Sequence, residues 1–422
     1  MNKLTIRTVK GIAALSLSLC TLTSCFSQAG NPGGDAFTIP EEMKTTPATS
    51  APSDDTQPTD TPSTDGKRPL HDYSSMDLAA LVTLPEDYRT RDYSEGLTLM
   101  GTPTDEYIDA EIRSSCLIQL AKYPDKGEAA DVELRDLDRV VMDYTGTLDG
   151  VAFQGGSATD STHDISILHS QFIDGFDRGM LGMKTGETRE LNLKFPDNYG
   201  NASLAGKSVV FTVTVDKIIR PEIPELTDDL VATNPKIFGE EFKTAATFRK
   251  AVVEAFTAQY KASDTQAINT AAWAYLIENT VYHSLPENIL SEYESYYVSY
   301  YTALAKQYGM TLEKYATQSG YLSLDAFKQE VITKRSISML KEKLVIHSAA
   351  QQLGLSVTDE QAKEKATEEF KTYIEPDLAQ YTFYYGVTDL ESFIEKMCGG
   401  IEEYKDTMLY NEILKAICDI EQ

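Results

Sequence analysis

FIDGFDRGMLGMKTGETREL, Phe172 to Leu191, sets four glycines within twelve residues, Gly175, Gly179, Gly182 and Gly186, with apolar residues between them. A phosphate-cradling loop, a set of turns in a small β domain and something more specific are the competing readings. The spacing fits neither GxGxxG nor the P-loop, and no GK[ST] follows. Both phosphate motifs open a helix after a strand, whereas this segment runs on into the strand-like ETRELNLKF. The glycines therefore read as turn residues.

The surrounding chain supports a β domain. From Leu137 to Ile219 the apolar period is two, in RVVMDYTGTL, ETRELNLKF and SVVFTVTVDKII, with β-branched enrichment and glycine turns between runs. A mostly antiparallel β domain with one short helix near 176–182 is predicted. Pro221 and Pro224 punctuate, and the remainder is helical, with helices predicted over 245–262, 265–283, 286–308, 311–319, 323–353, 358–371 and 389–418. SLPE (Ser284, Glu287) and TDEQ (Thr358, Gln361) read as capping boxes. Upstream, VTLPEDYRTRDY reads as extended, and Ile108, Ile112, Cys116 and Leu120 share one helical face. The fold class is α+β, a small antiparallel β domain followed by an all-α domain.

Composition narrows the partners. Thirty-eight basic against 65 acidic side chains give a formal charge of −27, which repels nucleic-acid backbones and anionic lipid surfaces alike. Neutral or basic polypeptides and small molecules remain. The five cysteines include no CxxC pair; Cys398 and Cys418 are near enough in sequence to bridge, and buried free thiols are the plainer reading. At the N-terminus, Lys3, Arg7 and Lys10 precede the apolar run from Gly11 to Leu22, too short for a comfortable membrane span. Leu22-Thr23-Ser24-Cys25 resembles a bacterial lipobox, so residues 1–24 read as a signal peptide and Cys25 as a lipidated first mature residue. Residues 25–70, rich in Thr, Pro, Ser, Gly and Asp, read as a disordered tether. Residues 71–136 form a connecting region.

No catalytic or metal motif of the familiar kinds is present. The five histidines include no HExxH, and His163 and His169 make a poor metal pair. No GxSxG appears. What stands out is an aromatic and aliphatic set in the β domain: Tyr144, Phe153, Phe172, Ile173, Phe176, Tyr199 and Phe211. Any one of them is readily a core residue; their order and spacing as a set point further.

D-Y-T-G-x-L-D-G-x-x-F, F-I-D-G-F-D-x-x-M-L-G-M-K-x-G-E, F-P-D-N-Y-G and V-x-F-T-V-x-V together resemble an FKBP-type peptidyl-prolyl isomerase domain, over residues 137–220. FQGG, FIDGF and GMKTGE are closest to the version found in the trigger factor family. PEIPELTDDLV, the SLPENILSEYESYYVSYY segment and LGLSVTDEQ look like that family's C-terminal helical domain with its extended arms, over residues 221–422. The family's ribosome-binding domain, with its GFRxGK-type loop, has no visible counterpart, and the lipobox and tether stand in its place.

The resemblance implies a prolyl pocket lined by Tyr144, Phe153, Phe172, Ile173, Phe176, Tyr199 and Phe211, with Phe176 as its floor. It further implies that the Ile173 N–H and the Tyr199 hydroxyl bind substrate carbonyls, that Gln154 and His163 border the substrate, and that no cofactor or metal takes part. Three departures imply a slow isomerase. Gln154 stands where an acidic residue is usual, Leu168-His169 replaces a Gly-Ser pair and its easy positive φ, and His163 occupies an aromatic wall position. The implied function is a membrane-anchored extracytoplasmic folding factor for unfolded or newly secreted polypeptides, touching the membrane through its lipid only and binding neither nucleic acid nor ribosome. YESYYVSYY and YTFYYG offer either client contact area or helix packing. A catalytically inactive holdase is the alternative; a solute-binding lipoprotein is a third reading that lacks a two-lobe α/β pattern.

Overall fold

The computed structural model describes residues 68–124, 132–201 and 203–418; the signal peptide, Cys25 and nearly all of the tether lie outside them. The described chain forms two compact units, residues 102–260 and residues 68–101 with 261–418. The stretch 71–136 is thus divided between them.

In the first unit, helix α1 (Asp105–Ser115) starts at Thr104, whose Oγ1 accepts the Tyr107 N–H at 3.2 Å. The predicted apolar face is real. Ile108, Ile112 and Cys116 are buried against Val231, Phe238, Phe248 and Val252, with Leu120 partly buried at the edge.

Strands β1 (Arg139–Leu148), β2 (Val151–Asp164), β3 (Thr188–Lys194) and β4 (Ser208–Ile219) form one antiparallel sheet in the order β2-β1-β4-β3. Strand β1 turns into β2 at Asp149-Gly150, with φ of 50° and 80°, and Leu148 pairs with Val151. Two consecutive left-handed residues are what a two-residue hairpin turn needs to follow the strand twist. Along β4, Val209, Phe211, Val213 and Val215 point inward at period two. They pack against helix α2 (Phe176–Met180) and against Met142, Ile165 and Met183.

The opening glycines act in two ways. Gly175, Gly182 and Gly186 hold φ of 86°, 77° and 83°, which side-chain-bearing residues rarely adopt. Gly179 lies in α2, where a Cβ would stand 2.8 Å from Leu191 Cδ2.

Outside this sheet the described residues are chiefly helical, apart from a two-residue antiparallel ladder of Val82–Thr83 with Val281–Tyr282, and the α+β expectation holds. Some helix boundaries differ from expectation. The predicted 245–262 and 265–283 helices are one, α3 (Ala245–Asn279), because nothing at Ala262-Ser263-Asp264 breaks the backbone ladder. Helix α4 (Glu287–Gln307) starts behind Pro286 with no side-chain cap, so the SLPE box does not form. The TDEQ box does, at Thr358 and Gln361. The predicted 389–418 helix is broken by Gly399 and Gly400, φ of 77° and 100°, into Leu390–Met397 and Ile401–Cys418. Cys116 and Cys418 are free thiols, so no bridge joins Cys398 to Cys418. No helix among the described residues is long and apolar enough to cross a membrane.

In the second unit, Tyr293, Tyr297 and Tyr301 of α4 are buried with Tyr315 and Phe327. The YESYYVSYY segment is therefore chiefly core. Phe383, Tyr384 and Tyr385 of YTFYYG are exposed, at 66%, 47% and 41%.

Candidate active site

The sheet gathers the predicted aromatics into one cluster. Tyr144 on β1 is paired with Val213 on β4, and Leu191 on β3 with Phe211, so the register brings Tyr144 and Phe211 to one face. Phe172 and Phe176 come from the glycine-rich segment, whose turn at Gly175 starts α2. Their rings stack 4.1 Å apart at 10°. Tyr144 meets Phe172 edge-on at 5.4 Å and Phe176 at 6.0 Å, and Phe211 meets Phe176 edge-on at 5.3 Å. Such edge-to-face pairs match the quadrupoles of the rings and hold each in one orientation.

Phe153 extends the cluster, meeting Phe211 at 6.1 Å and Phe195 at 5.8 Å. Tyr199, 38% exposed, lies 4.6 Å from Phe195 at the open end of this row. Two glycines make room for Phe153. A Cβ on Gly156 would lie 2.5 Å from Phe153 Cζ, and one on Gly146 would lie 2.7 Å from Phe211 and 2.8 Å from Phe153. Both positions, together with Phe195, were missed from sequence. The FQGG and YTG strings carry the signal, since glycine inside a strand marks close approach.

The other expected residues fall as follows. Phe176 is fully buried, with Phe172 stacked over its face. Ile173 is half-buried; its carbonyl accepts the Phe176 N–H at 3.1 Å, and no acceptor among the described residues pairs with its own N–H. Gln154 is exposed on β2. His163 is only 6% exposed and turns its ring edge to Phe172 at 4.7 Å. Its Nε2 bonds Asp177 Oδ1 at 2.8 Å, so it stands behind Phe172.

The Leu168-His169 turn needs no positive φ. His169 reaches α1 instead, with Nε2 2.9 Å from Glu111 Oε1 and 3.0 Å from Ser115 Oγ.

Among the described residues one acidic group has metal-ligand spacing, Asp143, Asp160 and Asp216, with carboxylate oxygens within 4.8 Å of one another. It is largely exposed, and the Asp160 N–H bonds Asp143 Oδ1 at 2.8 Å.

Residues 131–216 match the FKBP-type peptidyl-prolyl cis-trans isomerase family, and residues 244–393 match the bacterial trigger factor C-terminus. The trigger factor of Streptococcus equi subsp. zooepidemicus, strain MGCS10565, is 30% identical over 302 residues, covering 71% of this chain and 67% of that protein. The chain belongs to the trigger factor family. Trigger factor from Streptococcus mutans serotype c is 27% identical over 319 residues, covering 72% and 71% of the two chains. This trigger factor-family chaperone accordingly joins an isomerase of the FKBP type to a trigger factor helical domain.

Proposed function

We propose that the protein is anchored by lipid at Cys25 on the outer face of the cell membrane, where it isomerises prolyl bonds in newly secreted polypeptides and shields them from aggregation, away from the ribosome. The lipobox-like Leu22-Thr23-Ser24-Cys25 and the polar tether behind it support the location. A diacylglyceryl-modified cysteine carries two chains, enough for stable anchoring where one is marginal.

The convergence of Tyr144, Phe153, Phe172 and Phe211 carries the catalytic reading. The barrier to prolyl isomerisation is about 18–20 kcal/mol and comes from amide resonance, so lowering it requires no nucleophile. A dry apolar pocket disfavours the planar, polar amide and favours the twisted one. In this reading the proline ring meets Phe172, Tyr144, Phe153 and Phe211, with Phe176 supporting Phe172 from below. The Ile173 N–H and the Tyr199 hydroxyl bind the flanking substrate carbonyls. The exposed Phe383, Tyr384 and Tyr385 offer the helical domain's contact surface for unfolded chains.

Palmitate labelling with cell fractionation tests the anchoring. The native chain is expected in the membrane fraction and labelled, and Cys25→Ser released and unlabelled. Equal, unlabelled recovery of both in the soluble fraction would overturn it.

A further inference from the structure

We propose that Asp177 is a positioning residue for the isomerase, acting through His163 on the Phe172 ring; this rests on the prolyl pocket proposed above. Asp177 follows Phe176 in α2 and is only 2% exposed, a burial that aspartate accepts only when paired. Its Oδ1 accepts from His163 Nε2 at 2.8 Å and its Oδ2 accepts the Ser166 N–H at 3.0 Å. His163 lies on β2 and presents its ring to Phe172 at 87°. One carboxylate thus joins the strand, the helix under the pocket and the loop that leads to its wall.

That loop relies on such bonds. No residue from Ile165 to Asp174 has positive φ, and side chains hold the turn instead. Asp136 Oδ1 accepts the Ile167 N–H at 2.9 Å, Ser166 Oγ accepts the His169 N–H at 3.0 Å, and Ser170 Oγ accepts the Phe172 N–H at 3.1 Å. Ser166, the second of these anchors, is itself held by Asp177. Removing the carboxylate frees both the loop and the imidazole behind Phe172.

Misplacing a contact group by about 1 Å costs up to about 100-fold in rate, so Asp177→Ala is expected to lower kcat/KM by roughly 10- to 100-fold. Asp177→Asn keeps an acceptor for the Ser166 N–H, and its Nδ2 donates to the other tautomer of His163. Asparagine is therefore expected to restore kcat/KM to within about threefold of the native chain. His163→Leu removes both the donor to Asp177 and the ring against Phe172, and should resemble Asp177→Ala. His163→Gln, whose Nε2 has similar reach, should recover.

The test uses the full chain with a Xaa-Pro peptide, measuring kcat, KM and peptide Kd beside thermal unfolding. The expected result is a rise in KM and Kd for Asp177→Ala and His163→Leu in folded protein, with recovery by Asn and Gln. Native kcat/KM in folded Asp177→Ala, or losses in the conservative pair as large as in the disruptive pair, would overturn the role. If Asp177→Ala does not fold, the His163 pair decides by the same criterion. A native chain without turnover would count against the isomerase reading, and the Kd series would still decide on Asp177.

Discussion

Phe172 lies flat on Phe176, 4.1 Å away and 10° from parallel, and the ring expected as the pocket floor is fully buried beneath it. Phe172 is then the contact surface and Phe176 its foundation. The two substitutions should differ in kind. Phe176→Ala is expected to cost about 3–5 kcal/mol of stability, while Phe172→Ala, at a half-buried position, should cost less and still reduce kcat/KM at least tenfold. Urea unfolding with isomerase kinetics on both variants checks this; equal stability losses would contradict it.

Gly146 and Gly156 should resist alanine for a packing reason, since the added Cβ would fall within 2.8 Å of the Phe153 ring in both cases. Overpacking of this kind costs about 1–3 kcal/mol. Each variant should lose isomerase activity along with that stability, whereas Gly150→Ala, with open space around its Cβ but φ of 80°, should lose stability and keep its activity. The same kinetic and unfolding measurements separate the two outcomes.

A buried ion network in the helical unit predicts a pH dependence of stability. Lys343, 5% exposed, donates to Asp406 Oδ2 at 2.5 Å and to Glu403 Oε2 at 2.9 Å, and His347 Nε2 lies 3.1 Å from Asp406 Oδ1. Burial alone would raise the Asp406 pKa, but the His347 hydrogen bond and the Lys343 charge together hold it below the ordinary value. Burial alone would lower that of Lys343, but the Asp406 and Glu403 charges raise it. The depressed Asp406 therefore stabilises the fold above about pH 3.9 and ceases to as pH falls through its folded value. The raised Lys343 stabilises below about pH 10.4 and ceases to as pH rises through its folded value. Lys343→Met removes the cation shared by Asp406 and Glu403, leaving Glu403 with Arg68 at 3.2 Å, and should cost about 3–5 kcal/mol at pH 7. Thermal melts should show the gap between native and variant Tm shrinking toward pH 3; a constant gap would contradict the network.

The exposed aromatics of YTFYYG should serve clients rather than the fold. Replacing Phe383, Tyr384 and Tyr385 by serine is expected to change stability by under about 0.5 kcal/mol each. Light scattering of an aggregating client should show weaker protection, with peptide isomerisation unchanged. Full protection by the triple variant would place client contact elsewhere.

Much of the site was legible before the structure because the order and spacing of its aromatics resemble the FKBP pattern, although only Tyr144, Phe153 and Phe211 sit on strands. The resemblance of their strings to the FKBP pattern implied that Tyr144, Phe153 and Phe211 meet in one pocket. What was not legible depends on three-dimensional contacts. His163 reads as a wall residue until its bond to Asp177 shows it behind the wall. Asp177 stands in the FIDGFD string, and nothing in the sequence pairs it with His163. In the helical part, the break at Gly399-Gly400 was readable and missed, whereas the SLPE box failed because the chain at Pro286 has not yet turned helical. The two tyrosine-rich segments have similar composition, and only tertiary packing separates the buried Tyr293, Tyr297 and Tyr301 from the exposed Tyr384 and Tyr385.

The central claim is that the Phe172-centred cluster is the prolyl pocket. Its most direct test is cis–trans isomerisation of a proline peptide by the full chain, where the uncatalysed reaction takes tens of seconds, comparing the native protein with Phe172→Ala and Tyr199→Phe. The account predicts acceleration by the native chain, at least tenfold less by Phe172→Ala, and a smaller loss for Tyr199→Phe. Undiminished acceleration by folded Phe172→Ala would contradict it.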